Sequence, residues 1–376
     1  KDQIAAVAPL LSTSSSPARA ELPVRPASRE AAREELAARG LPLSPLVVDR
    51  ILLALLASPR AGSLVLLSDP SGRAPAALTD LFEGGDGALV SVRAEWEAES
   101  GLLGRVSPDG LRFVPAPFTE AARRASAHAL TTAGAPTPVP FILHLRGVDR
   151  ADPSRYAAGL TAALDTDRRL ELYPRSLNSR WRAELEQMKT KRAHDSNRFA
   201  ELEQAFSAEA LGGGDPQHAW QLKLTNSTII VATLTDEPSA ERLASLQDHG
   251  FFVQLPSPAL ADVLSRGSGG AQQRLQLPKG PDGPIAYRET RALVEDGLRV
   301  LLPLLPPPAP RLGRQLAALL SEAARWEMED DAELAGHLLA LTALPRLRAG
   351  DAGPIEQLAS RDWVTDGFAA DLEPLL

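Results

Sequence analysis

The chain has 376 residues, 44% apolar and 23% charged, with 40 basic against 48 acidic side chains and a net charge of −8. This is ordinary for a globular protein with room for a sizeable core in two or three units, and it excludes a chain that binds polyanions through its overall charge. There is no cysteine, which removes disulfides, thiolate catalysis and zinc–cysteine sites. No apolar run reaches the roughly 18 residues that span a bilayer, and the N-terminus lacks the ordered regions of a signal peptide, so a cytoplasmic location without membrane contact is expected.

In chain order, a short helix precedes "STSSSPARAELPVRPAS" (Ser12–Ser28), whose Ser, Pro and Ala content reads as a linker; residues 1–28 are therefore set apart as an N-terminal helix and linker. Ser28–Arg39 is expected as a helix capped by Ser28 and ended by Gly40, and "LVVDRILLALL" (Leu46–Leu56) as a strongly apolar helix. "SLVLLSDPSGRAPAALTDLF" (Ser63–Phe82) has the outline of a nucleotide-binding loop, with an apolar strand, a turn and a helix. A P-loop, G-x-x-x-x-G-K-[ST], needs backbone N–H groups around the phosphates, a lysine on the terminal phosphates and a hydroxyl on Mg²⁺. Here Asp69, Pro70, Ser71, Gly72, Arg73, Ala74, Pro75 and Ala76 fill the eight places, with Pro75 for the lysine and Ala76 for the hydroxyl.

Leu64–Leu67, Ala88–Val92, Phe141–Leu145 and Thr228–Thr233 are short continuous apolar runs, the pattern of parallel strands covered on both faces. Helical patterns intervene at Ala74–Phe82, Phe118–Leu130 and Ser154–Leu164, an alternation that implies α/β layers. Arg175–Leu211 then reads as a protruding helix or helical hairpin turning near Ala193–Ser196. Leu185, Met188, Phe199, Leu202 and Phe206 form an internal seam that leaves the arm separable from the core. From Ile285 onward the chain is helical and rich in Leu and Ala, which suggests a separate C-terminal helical unit.

The order and spacing of these segments resemble the AAA+ GTPase subunit of McrBC-type restriction systems and its McrB-like relatives, from about Gly40 to Pro256 and more weakly to about Gly350. Carrying the resemblance are the loop region, "VSVRAEWEAESGLLG" (Val90–Gly104), "RFVPAPFTEAARRA" (Arg112–Ala125), "FILHLRGVDRADPSRYAAGLTAALD" (Phe141–Asp165) and "NSTIIVATLTDEPSAERLASLQDHGFFVQLP" (Asn226–Pro256). It implies a P-loop-type three-layer αβα core with a parallel sheet over residues 29–260, the arm at 175–211 inserted in it, and a C-terminal α-helical lid over 261–376. It also implies a bacterial defence or restriction setting.

The catalytic positions of the family do not follow. Its adjacent Walker B acids fall on Arg146 and Gly147, its sensor on Thr235, and its arginines on Gln247, Asp248 and His249, to within about one position. Phosphoryl transfer depends on positioning and charge stabilisation, and one trans-acting arginine is worth about 10³–10⁵ in rate, or about 4–7 kcal/mol. With the lysine, the hydroxyl and both acids also replaced, the loop reads as a relic: no enzyme, no catalytic residue, no metal and no cofactor.

The expected role is a catalytically inactive structural or adaptor subunit. Its partners would be an active AAA+ or nuclease subunit, or copies of itself. A weak NTPase relying on Arg73 is the alternative from the enzyme class. A third reading is a nucleic-acid module using the arm, whose cations Arg180, Arg182, Lys189, Lys191, Arg192 and Arg198 reverse the local sign of charge. No H-x-x-x-H pair or G-x-S-x-G elbow is present, and the acid run "EMEDDAE" (Glu327–Glu333) reads as a solvated face or partner contact.

Overall fold

The computed structural model describes residues 23–375 apart from 70–71, 136, 138, 191–196, 208–215, 235–245, 256–272, 278–286, 306–309 and 348–351. The expected N-terminal helix, most of the linker, the turn at Ala193–Ser196, Thr235, Lys191 and Arg192 lie outside the described residues.

The chain enters through strand β1 (Val24–Pro26) and helix α1 (Arg29–Ala38), whose first turn is held by Ser28, the expected cap, accepting from the Ala31 N–H at 3.0 Å. Helix α2 (Pro45–Ala61) starts at a Ser44 cap with proline in its first turn. It is longer than its apolar run because it is buried on almost every side, down to Pro59. Strand β2 (Leu64–Ser68), helix α3 (Ala74–Thr79) and strand β3 (Asp86–Ser91) follow. Next come helix α4 (Glu99–Leu102), a hairpin of β4 (Gly104–Val106) and β5 (Phe113–Pro115), helix α5 (Pro117–Thr131) and strand β6 (Phe141–Arg146). The single helix expected over Ser154–Leu164 is broken into α6 (Pro153–Tyr156) and α7 (Ala158–Asp165). Strand β7 (Arg169–Glu171), the arm helices α8 (Arg175–Thr190) and α9 (Asn197–Ala205), and strands β8 (Gln221–Lys223), β9 (Thr228–Leu234), β10 (Gly250–Gln254) and β11 (Arg274–Gln276) complete the first two thirds. Helices α10 (Arg288–Leu301), α11 (Pro310–Arg325), α12 (Asp331–Thr342), α13 (Gly353–Ala359) and α14 (Asp366–Leu372) end it.

The central sheet has the order β10-β2-β9-β6-β3, and every pairing in it is parallel, with Val65 opposite Val231 and Phe251, and Leu145 opposite Ala232 and Val90. Alternate residues serve opposite faces, as strand geometry requires. Val65, Leu67, Ile142, Val231, Phe251 and Val253 pack under α1–α3 and α10–α14. Leu64, Leu66, Leu143, Leu145, Ile230 and Ala232 pack under α4–α9. The molecule is thus an α/β protein with helices on both faces of a parallel sheet.

Two features show how its parts join. The C-terminal helices do not build a core of their own. α11 lies along α2, α12 touches β10, and their buried side chains belong to the same apolar cluster as one face of the sheet. Polar ties run the same way, with Gln315 Nε2 donating to Ser63 Oγ at 2.9 Å and Arg60 paired with buried Glu322 at 2.9 Å.

Nor does the arm stand free. α8 and α9 do pair, but Trp181, Leu185 and Leu202 are buried in the cluster that covers the other sheet face. Trp181 is 3% exposed, its ring lies 5.1 Å from that of Tyr173, and its Nε1–H donates to the Gly110 carbonyl at 3.1 Å in the β4–β5 turn. Helical spacing shows which residues form a seam but not what else the seam covers.

Candidate functional site at the carboxyl ends of the strands

In open α/β sheets ligands bind beyond the carboxyl ends of the strands, where the order of strands reverses. Here the ends of β2, β9 and β6 lie side by side, with Ser68 opposite Leu234 and Arg146 opposite Thr233. The loop that resembles a P-loop in outline grows from the first of them.

Asp69 decides the chemistry of this edge. It is 5% exposed; its Oδ1 accepts from the Gly72 N–H at 3.0 Å and its Oδ2 from the Ala74 N–H at 2.9 Å. Gly72 makes the turn possible with a φ of +65°, a left-handed conformation that penalises a Cβ. Free N–H groups at a strand-to-helix turn are what a phosphate would use. The Asp69 carboxylate already holds them. A phosphate brought within about 4 Å of that carboxylate would meet about 1–4 kcal/mol of repulsion at dielectrics from water to protein surface.

The candidate compensating charge is also engaged elsewhere. Arg73, half-buried, donates from Nη1 to the Gly40 carbonyl at 3.0 Å. Pro75 lies in the first turn of α3 and Ala76 is exposed, so neither an ammonium nor a hydroxyl is presented there.

At the end of β6 two carboxylates would be needed to orient Mg²⁺ and water. Arg146 stands there instead, its Nη2 4.0 Å from where a methyl on Gly72 would be, followed by Gly147, whose N–H donates to Thr233 O at 2.8 Å. Behind them His144 is 1% exposed, with Nε2 3.1 Å from Thr233 Oγ1. Burial, with Arg146 adding to it, brings its pKa down to about 4, so the imidazole is neutral at physiological pH. A guanidinium and a neutral imidazole form a poor cation site.

The segment resembling the family's arginine positions carries no arginine at Gln247, Asp248 or His249. His249 Nε2 lies 3.1 Å from Asp165 Oδ2, and the Asp248 carbonyl accepts from Arg311 Nη1 at 2.7 Å and from Arg346 Nη2 at 2.8 Å. Arg311 also donates from Nε to Asp165 Oδ1 at 2.8 Å. These contacts lie at the amino end of β10, the sheet edge opposite the loop, and the arginines that make them come from α11 and from the turn after α12, where they fasten the C-terminal helices to the sheet. Position relative to the sheet strands gives no signal for them.

The arm's cations divide. Arg180 Nη2 donates to Gly110 O at 2.5 Å, and Arg198 donates to Leu111 O at 2.6 Å and twice, at 2.9 Å, to Glu184. Lys189 is paired with Glu186 at 3.0 Å, and Arg182 is half-buried. The described cations of the arm therefore do not form one open basic stripe; Lys191 and Arg192 lie outside the described residues.

A second group of titratable side chains has no motif in the sequence. Asp49 on α2 and Glu333 and His337 on α12 each bring a ligand atom within 4.8 Å of the others, the one such trio among the described residues. It contains a single histidine, so His–His spacing does not reveal it. The signal that points to two of the three is Glu333-x-x-x-His337, an i,i+4 pair on one helix face.

No protein-family model matches the chain, and no curated protein matches it. Among the described residues no helix is long and apolar enough to cross a membrane.

Proposed function

We propose that the chain is a catalytically inactive AAA+-type subunit of McrB-like character that acts as a structural or adaptor component of a larger assembly. The observation that carries this reading is Asp69, whose carboxylate takes the loop and helix N–H groups that a nucleotide phosphate would need. Arg73 on the Gly40 carbonyl and Arg146 at the Walker B position support it further. A parallel sheet with helices on both faces, and with the loop strand, the sensor strand and the Walker B strand adjacent, is compatible with the P-loop-type core that the sequence resembles. The partners in this reading are proteins, namely an active AAA+ or nuclease subunit or further copies of the chain, in a cytoplasmic bacterial defence system. An inactive member of such a ring keeps its fold because neighbours pack against it.

The test has two arms. Titration with labelled ATP and GTP in the presence of Mg²⁺ is expected to give no binding below millimolar concentration; micromolar binding lost on Arg73→Ala would mean that the loop still holds nucleotide. Light scattering of the chain alone and mixed with the products of neighbouring genes is expected to show association. A chain that stays monomeric with all of them sinks the adaptor role.

A further inference from the structure

We propose that Asp49, Glu333 and His337 form a divalent transition-metal site that joins helix α2 to helix α12. Glu333 and His337 are one turn apart on α12, which is started by Asp330 accepting from the Glu333 N–H at 2.9 Å, and Asp49 faces them from the first turns of α2. Glu333 Oε1 and His337 Nε2 are 3.9 Å apart, and all three ligand atoms fall within 4.8 Å. Four ligands about 2.1 Å from a tetrahedral Zn²⁺ are about 3.4 Å from one another, so modest side-chain movement closes the set. Glu333 is half-exposed and has the torsional freedom to supply it.

The independent observation is His337. It is 2% exposed, and neither ring nitrogen has a hydrogen-bond partner among the described residues. Buried imidazoles ordinarily bond through at least one nitrogen, so this one is short of a partner. It lines a cavity of about 150 Å³ together with Arg29, Asp330 and Glu333, beside a larger one of about 570 Å³ that Asp49 and Glu333 also line. An ion and a few waters fit, since a water occupies about 30 Å³.

One imidazole with two carboxylates is a mixed N/O set that favours Zn²⁺ and its first-row neighbours over Mg²⁺ or Ca²⁺. Three protein ligands leave a fourth position open.

The competing explanation is Arg29, whose Nη1 sits 3.1 Å from Asp49 Oδ2 with a side chain 42% exposed. That ion pair accounts for Asp49 but not for His337. In the metal-bound form the Arg29 side chain turns to solvent, so Arg29 and the ion compete for one carboxylate.

The experiment is a Zn²⁺ titration of the chelator-treated 376-residue chain, followed by calorimetry and by thermal unfolding. One Zn²⁺ per chain with a Kd in the micromolar range or tighter is expected, with a melting temperature that rises with free Zn²⁺ as linkage requires. Glu333→Gln keeps a half-exposed position and the Asp330 cap, and should weaken binding at least tenfold while the metal-free protein stays folded. Arg29→Gln removes the competitor and should tighten Zn²⁺ binding. In a plain ion-pair cluster it would only lower the melting temperature, with no response to zinc. Failure of the wild-type chain to bind zinc at 100 µM (about thirty times above a low-micromolar Kd), or equal binding by Glu333→Gln, overturns the site.

Discussion

Two places in this protein gather groups that bind ligands in other proteins, and they are in opposite states. At the carboxyl end of β2 each group has an internal partner: Asp69 holds Gly72 and Ala74, and Arg73 holds Gly40. Between α2 and α12 the reverse holds, with His337 buried beside two carboxylates and a cavity and without a hydrogen-bond partner among the described residues. The loop that looks like a binding site has closed on itself, whereas the place with unmet bonding capacity has no recognisable motif. A ligand competes against whatever already satisfies the groups it needs, so the accounting of partners is a better guide than the outline of a motif.

That contrast fails if groups counted as satisfied prove dispensable, and the largest test is Trp181. It is buried against Tyr173 and donates to Gly110, so it couples the arm to the β4–β5 turn. Trp181→Ala is expected to cost about 3–5 kcal/mol in chemical denaturation, in the range of buried aromatic truncations. A loss below about 1 kcal/mol would mean that the arm is separable after all.

His144 gives the next largest effect, and one with a pH signature. Its folded pKa near 4 lies below the ordinary 6.5, so between those values the unfolded chain binds more protons. The contribution is full above pH 6.5, falls as pH drops through the window, and is gone below about 4. Its size is about 3 kcal/mol, the free energy of that difference in proton affinity. His337 adds a similar slope, so the quantity to measure is the difference between wild type and His144→Gln, which keeps a polar partner for Thr233. Parallel stability–pH curves for the two proteins would contradict the buried neutral imidazole.

Removing the cap of the closed loop comes third. Asp69→Ala takes the acceptor from the Ala74 N–H and leaves the Gly72 N–H with the Asp69 carbonyl at 3.2 Å, and is expected to cost about 1–2 kcal/mol, as N-cap losses and unpaired buried donors do. Because Arg73 remains on Gly40 and Arg146 remains at the strand end, the variant should still not bind ATP with Mg²⁺ in a titration. Tight binding would show that Asp69 alone closes the loop.

How much of this is legible in the sequence follows from where each partner lies. "LVLL", "FILHL" and "TIIVAT" are visible as strands because a parallel sheet buried on both faces leaves no polar alternation, and Ser28 is visible as a cap because its partner is three residues away. That Pro75 and Ala76 stand where a P-loop would carry a lysine and a hydroxyl is legible too, since that motif has fixed spacing. Trp181 finds its acceptor at Gly110, Arg311 its carbonyl at Asp248, and Asp49 its companions on α12, none of them within reach of a periodicity. The packing of α11 is illegible for the same reason: α2 needs a cover on the side away from the sheet, and only the folded chain shows that α11 supplies it. In the sequence Asp69 is only a charge that would repel phosphate; its use as a cap depends on a left-handed turn at Gly72.

The smallest effect concerns the salt bridge in the arm, and it discriminates between two uses of a cation. Arg198 grips Glu184 through two hydrogen bonds of 2.9 Å, and that bond holds the Glu184 carboxyl below the usual glutamate range against a smaller opposing effect of burial. A depressed carboxylate contributes stability that is present above its unfolded pKa of 4.5 and is lost as pH falls through the lower folded value. With Glu184 about a third exposed, solvent screening limits the pair to about 0.5–1 kcal/mol. Glu184→Gln should therefore cost that much at pH 7, and the difference from wild type should vanish as pH falls through the lower folded value. The same variant releases Arg198 from Glu184 and leaves it beside Glu201 at 3.7 Å. If the arm were a nucleic-acid surface, that release would strengthen binding to a duplex and steepen its salt dependence by about 0.9 in log–log slope per added phosphate contact. A self-satisfied arm predicts a small stability loss and no shift of duplex DNA at 50 mM salt; a steeper, tighter shift would place Arg198 on the binding side of the contrast instead.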